Sequence, residues 1–207
     1  MDHTLSAAGF GIRIRPVRME DAPFIVWLRN LDHAKGKLGD SARDVTGQEA
    51  WLNACFERAG DYYFIAETLS GIPVGTSSIY DHSGDYAETG RFVVSPDVAA
   101  AFPISILTYD LAFDRMQIKE LRATSVGSNR TVHSYVRKLG FRQVKVEAAG
   151  RVIGGQPVDM LHFALTAADW AQCRANLLPL AEYAAAQVLE WEKKSLGRHA
   201  EVGCTTF

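Results

Sequence analysis

Only three cysteines occur in this chain of 207 residues, Cys55, Cys173 and Cys204, and no Cys-x-x-Cys pair is among them. An odd, scattered set excludes a disulfide framework and a zinc knuckle, and it suits a reducing cytoplasm. No apolar run approaches the roughly 20 residues of a membrane helix. The start, Met1-Asp2-His3-Thr4, lacks the charged and apolar regions of a signal peptide. A cytoplasmic protein without a membrane partner is therefore expected. Long runs of Lys or Arg are missing too, and the formal charge is −2. That sets nucleic acid aside as a main partner, since phosphate binding needs a concentrated basic face. The small clusters Arg13/Arg15/Arg18 and Lys193/Lys194 read as solvated surface. Also absent are a Gly-x-Ser-x-Gly elbow, a phosphate-binding Gly-Lys-Ser/Thr loop, a His-Glu-x-x-His pair and a dinucleotide glycine fingerprint. No metal is expected.

What is present is an ordinary globular composition, 47% hydrophobic and 22% charged, enough for one generous domain with an appendage. Residues 1–11 are small and polar and read as a flexible leader. Ile12 to Val17 alternates as a strand, and Pro23 in a first turn opens a helix through Leu28. Residues 31–45 read as a mobile loop, after which Thr46-Gly47-Gln48-Glu49 has capping-box spacing for a helix through Phe56. Strands follow over 62–66, 74–80 and 88–94, with 81–85 as turn. A helix spans Ile104 to Met116, a strand Glu120 to Val126, and a helix Asn129 to Leu139 that Gly140 stops. Two last strands, 141–146 and 158–165, are joined across Gly150, Gly154 and Gly155. The order β-α-α-β-β-β-α-β-α-β-β mixes hairpins with helical crossovers. It predicts an α/β (α+β) mixed sheet over 12–166 with helices on its faces. Thr166-Ala167-Ala168-Asp169 caps a helical extension over 167–207, interrupted at Pro179 and frayed from Ser195. Its stripe Leu180, Ala184, Val188 and Trp191 packs on its own domain, the alternative being a homodimer contact.

The stretch from Glu88 to Phe141 carries the most information. A strand ends Phe92-Val93-Val94-Ser95-Pro96, a short loop enters a helix, and Asn129 is followed by Lys138 and Gly140-Phe141. With Trp51 after Gln48, Tyr63-Phe64-Ile65, Gly75 and the closing Val158 to Trp170, this order resembles the GNAT superfamily of acyl-CoA-dependent N-acyltransferases over about residues 12–170. The resemblance implies acetyl-CoA as cosubstrate. Phe92, Val93 and Val94 would pair with its pantetheine arm as a pseudo-strand. Ala100, Ala101, Phe102, Ile104 and Ser105 would offer a helix N-terminus to its pyrophosphate. Asn129 would be a coenzyme contact as well as an N-cap.

Three departures stand out. The loop Ala99-Ala100-Ala101-Phe102-Pro103 has no glycine, and Pro103 has no N–H to donate. Where the family carries a tyrosine, seven positions after Asn129, stands Val136, and an often-acidic position five before Asn129 is Thr124. Amine acylation needs a neutral attacking nitrogen and a polarised thioester carbonyl, and the departing thiolate must be stabilised. Glu88 is the candidate base, with an exposed strand carboxylate as its plain alternative. Tyr135 and Ser134 are candidate proton donors, with His133 behind them. Asp81 and His82, in a loop near the expected cleft, are candidates for a base or a substrate contact, with solvated loop as their plain alternative. The resemblance leans towards GNAT proteins of surface-polysaccharide and nucleotide-sugar biosynthesis. It implies a small-molecule amine acceptor, first a nucleotide-linked aminosugar and second a protein N-terminal amine. A catalytically silent domain that binds an acyl-CoA or a protein is the rival.

Overall fold

The computed structural model describes residues 3–32, 34, 42 and 44–203, the stretch 197–203 by backbone alone. The loop expected over 31–45 lies mostly outside the described residues. Among the described residues eight strands form one sheet: β1 (Ala7–Gly9), β2 (Ile12–Pro16), β3 (Tyr62–Thr68), β4 (Pro73–Ser83), β5 (Tyr86–Val94), β6 (Glu120–Val126), β7 (Arg142–Ile153) and β8 (Gln156–Thr166). Their order across the sheet is β1-β2-β3-β4-β5-β6-β8-β7. Neighbours are antiparallel except β5 and β6. The mixed sheet is therefore as the sequence predicts, and the crossover between its parallel pair carries the helix Ala101–Asp110.

Among the described residues five α-helices cover it: α1 (Ala22–Arg29), α2 (Val45–Phe56), α3 (Ala101–Asp110), α4 (Arg130–Lys138) and α5 (Ala167–Gly203). The run Tyr62-Tyr63-Phe64-Ile65-Ala66 in β3 is apolar throughout because both of its faces are buried. Tyr63 and Ile65 pack with Ile25, Leu52 and Cys55 beneath α1 and α2. Phe64 and Ala66 join Ile104, Leu107, Leu177 and Val188 beneath α3 and α5 on the other face. On β6 and β8 the more deeply buried face is the one towards α4 and α5. There Leu121, Phe163 and Leu165 are buried while Arg122 and Thr124 are exposed.

Several local expectations are corrected. The leader is not loose: Ala7–Gly9 pairs with β2, and Leu5 and Phe10 pack on the core. Asp44, not Thr46, caps α2, its carboxylate accepting from the Gly47 N–H at 2.8 Å. Asp81 and His82 lie on the extended end of β4, because the hairpin turns only at Gly84-Asp85. β7 and β8 run on past the expected glycine-rich loop and turn at Gly154-Gly155, both of which have positive φ. Pro179 does not interrupt α5. The proline and the residue one turn before it, Ala175, are both exposed, so water can serve the freed carbonyl.

The extension packs on its own domain. Its buried face is Leu177, Ala181, Ala184 and Val188, with Leu180 turned outward. Asp110 of α3 accepts from Trp170 Nε1 at 3.0 Å and from both ends of the Arg174 guanidinium at 2.7 and 2.8 Å. Thr166 and Asp169 form the expected cap, with the Asp169 N–H donating to the hydroxyl at 3.1 Å. Gly140 ends α4 at φ +95° and leaves room for α5, since a Cβ there would meet Cys173 Sγ at 2.7 Å. No helix among the described residues is long and apolar enough to cross a membrane.

Candidate active site

The parallel strands β5 and β6 pair for only three residues: Tyr86 with Glu120, Ala87 with Leu121 and Glu88 with Arg122. Beyond Glu88 they part. Two features of β5 turn it away. Between the pairs Thr76–Val93 and Ser78–Gly90, the single β4 residue Ser77 faces both Arg91 and Phe92, which is a bulge. Arg91 also sits at φ +47°, a left-handed conformation costly to a residue with a Cβ. Hydroxyls from β4 secure it. Thr76 Oγ1 donates to the Arg91 carbonyl at 2.7 Å and Ser78 Oγ to that of Gly90 at 2.9 Å.

The parting strands enclose a wedge-shaped cavity of about 160 Å³. Phe92 and Thr124 line its two sides, Asn129 its far end, and Tyr109, Tyr135 and Val136 its helix side. Asn129 is the N-cap of α4, its side-chain oxygen accepting from the Val132 N–H at 3.4 Å. Tyr135 spans the space between α4, α3 and β5. Its ring stacks on Phe92 at 5.7 Å and lies 5.4 Å from that of Phe102. Its hydroxyl is 2.9 Å from Ser105 Oγ. Burial pushes the Tyr135 phenol well above its ordinary range and that of Tyr109 up to about 12, so both stay protonated.

The other residues expected to hold the coenzyme divide sharply. Val93 is buried against Leu28 and Ala34, and Val94 is half-buried beside Gly75 of β4. Ala100 and Ile104 are fully buried in the main core, while Ala101 and Phe102 are half-buried. Any contact from this loop to a phosphate would come through the first-turn amides of α3, where Pro103 removes one donor. A cation stands nearby: Lys138 Nζ lies 5.8 Å from the centre of the Phe102 ring. Ser134 is exposed and does not line the cavity. His133 is buried, its Nε2 3.0 Å from the Val126 carbonyl and its ring against Phe163.

On the opposite face of the sheet the wedge opens among polar groups. Glu88 is half-buried, and burial raises its carboxyl above the usual range while Arg122 draws it back down. Tyr80, its β4 partner, is raised by burial and by the Glu88 charge. Past Arg122, the next β6 residue on this face is Thr124. Its Oγ1 lies 3.4 Å from His162 Nδ1, and His162 Nε2 lies 2.8 Å from the Glu147 carboxylate. On the β3 side, the Arg91 guanidinium is paired with Asp61 at 2.5 and 2.9 Å. Three rings surround it, Tyr80 at 4.6 Å, Trp51 at 5.0 Å and Tyr63 at 5.4 Å.

Phe92, Asn129 and Tyr135 are thus brought to one cavity, while Glu88, in the last paired row of β5 and β6, precedes the lining residue Thr89 and does not itself line it. Sequence reasoning missed Arg91 with Asp61, and the Thr124, His162 and Glu147 set. For His162 a signal existed, because the alternation of Leu161, Phe163 and Leu165 puts Met160, His162 and Ala164 on the other face.

No family model and no curated protein matches the sequence. Solved structures are similar in fold. A GCN5-related N-acetyltransferase from Brucella melitensis superposes with a TM-score of 0.74 at 15% identity, over 86% of each chain. FdhC, described as a nucleotide-linked sugar GNAT, gives 0.71 at 20% identity, over 86% of this chain and 99% of that one. A variant of the spermidine N-acetyltransferase SpeG from Vibrio cholerae gives 0.69 at 13% identity, over 78% and 97%. The split parallel pair, the bulged strand and the helix capped by Asn129 therefore stand on a sheet whose fold is that of the GNAT acetyltransferases.

Proposed function

We propose that this protein moves an acetyl group from acetyl-CoA to a primary amine. The observation that carries the reading is the wedge: strand pairing stops at Glu88 and Arg122, and an open strand, a helix cap and aromatic side chains border the space beyond. An extended thiol arm with amide groups suits such a space, because it can pair with main chain as a further strand would. Phe92 and Asn129 would hold the arm, with Val93 and Val94 contributing main chain only. The first-turn amides of Ala101 and Phe102, with Lys138 beside them, would meet the pyrophosphate.

Glu88 stands just before the wedge on the face where an acceptor has access, and an ionised carboxylate there attracts and orients an ammonium group. Tyr135, kept protonated by burial, is suited to stabilise the departing thiolate by a hydrogen bond rather than by giving up its proton. An aminosugar carried on a nucleotide is the first acceptor to test. The sequence resemblance supports it, and the similarity of fold to FdhC is consistent with it.

A second reading, a domain that binds an acyl-CoA without turnover, is favoured by one observation: the Tyr135 hydroxyl is already engaged with Ser105, and Val136 offers no donor. Calorimetric titration with acetyl-CoA, followed by thiol release with nucleotide-linked aminosugars, polyamines and peptide N-termini, separates the two. Turnover with an aminosugar supports the first reading. Binding without release on any amine supports the second.

A further inference from the structure

We propose that His162, held by Glu147 and facing Thr124, takes the proton from the acceptor amine. The inference rests on the acetyl-transfer reading and names a base that this reading leaves open.

The placement follows from register. On the open face, Glu88 and Arg122 form the last row that β5 shares with β6. The next row on that face runs Thr124, His162, Lys145 across β6, β8 and β7, and has no β5 member. It is therefore the first row to border the wedge, and Thr124 lines the cavity directly. An acceptor that reaches the thioester from this face passes between Glu88 on one strand and Thr124 with His162 on the others.

Hydrogen bonding sets the tautomer. The Glu147 carboxylate, 2.8 Å from Nε2, can only accept, so Nε2 carries the proton and Nδ1 keeps its lone pair. Nδ1 is the atom that faces the Thr124 hydroxyl, at 3.4 Å. An imidazole fixed at one nitrogen by a carboxylate and open at the other is arranged to accept a proton. The charged groups around it are Glu147 and Lys145 from β7, Arg122 from β6 and Glu88 from β5. Lys145 and Glu147 are themselves 3.5 Å apart, so the carboxylate is shared between the lysine side chain and the ring.

The step balances without a further reactant. The acceptor arrives as an ammonium ion, and one proton passes to Nδ1, directly or through the Thr124 hydroxyl. The freed lone pair forms the new C–N bond at the thioester carbonyl, and the C–S bond breaks as the tetrahedral species collapses. The second nitrogen-bound proton leaves with that collapse and neutralises the thiolate. The imidazolium returns its proton to water.

His162→Gln, Glu147→Gln and Thr124→Val lie on a partly exposed surface, and thermal melts check that each remains folded. The expected result for His162→Gln is a fall in kcat on the order of 100-fold, with acetyl-CoA affinity unchanged by calorimetry. Its remaining rate climbs with pH as solution supplies free amine, and imidazole added to His162→Gly restores part of the rate. Glu147→Gln gives a smaller fall with a shifted pH profile. A wild type that turns over while His162→Gln keeps its kcat and pH profile overturns this proposal alone. A wild type that binds acetyl-CoA but acylates no amine overturns it together with catalysis, and one that does not bind acetyl-CoA overturns the reading of the wedge as well.

Discussion

The two sides of the wedge are built in opposite ways. Towards α3 and α4 it is closed by stacked aromatic rings, and the polar groups there, Tyr109, Tyr135 and Ser105, are buried and held protonated or hydrogen-bonded. Towards the open face, Glu88, Arg122, Thr124, His162 and Glu147 are partly exposed and carry charge or exchangeable protons. The contrast assigns tasks. A rigid apolar side suits an invariant cosubstrate that must be desolvated and aligned. A solvated, titratable side suits an acceptor that arrives charged and must lose a proton. Arg91 joins the two, its backbone forming the bulge and its side chain anchored in the aromatic cage with Asp61.

Breaking that joint has the largest expected effect. Asp61→Asn leaves the Arg91 guanidinium buried without its counter-charge, and about 3 kcal/mol of stability should be lost in chemical denaturation. A loss below about 0.5 kcal/mol would show that the cage does not hold the bulge. Glu88→Gln should lower turnover by roughly 30- to 100-fold and leave acetyl-CoA affinity alone. The raised carboxyl also predicts an acidic limb. Glu88 is ionised and active above its elevated pKa, activity falls as pH drops through it, and the part of the acidic limb that Glu88 contributes should be lost in the Gln variant. Unchanged turnover across pH removes Glu88 from the mechanism.

Tyr135→Phe sharpens the helix side. Losing one buried hydroxyl that bonds Ser105 should cost about 1 kcal/mol of stability and slow turnover by about 10-fold, with no change in pH profile. A pH-dependent loss would instead make Tyr135 a proton donor. Lys138→Gln should be the mildest, weakening acetyl-CoA binding by about 3-fold at low salt and less as salt rises. Loss of acceptor affinity with intact coenzyme affinity would place Lys138 on the wrong side of the division.

Much of the scaffold was legible because local chemistry and burial agree. The apolar run of β3, Asn129 and Gly140 bracketing α4, and Thr166 with Asp169 opening α5 each satisfy one physical requirement that short-range sequence displays. What was hidden depends on partners far along the chain. The bulge falls on Arg91, a residue that gives no hint of positive φ, and its support comes from Asp61, Thr76 and Ser78. Gly150, Gly154 and Gly155 suggested a loop, yet the register of β7 on β8 continues through Arg151 to Ile153. His162 meets Glu147 only because the hairpin shifts register between Gln143 and Lys145. Ser134, a donor candidate near the family's tyrosine position at Val136, faces solvent because helix periodicity gives the inner positions to His133 and Val136.

A crystal structure of the acetyl-CoA complex tests the central claim most directly. The thiol arm should lie along β5 from Phe92 to Val94, with the acetyl group at the Glu88 end of the wedge and Asn129 on the opposite wall. Coenzyme bound elsewhere on the molecule, or a wedge left empty at saturating acetyl-CoA, would contradict it.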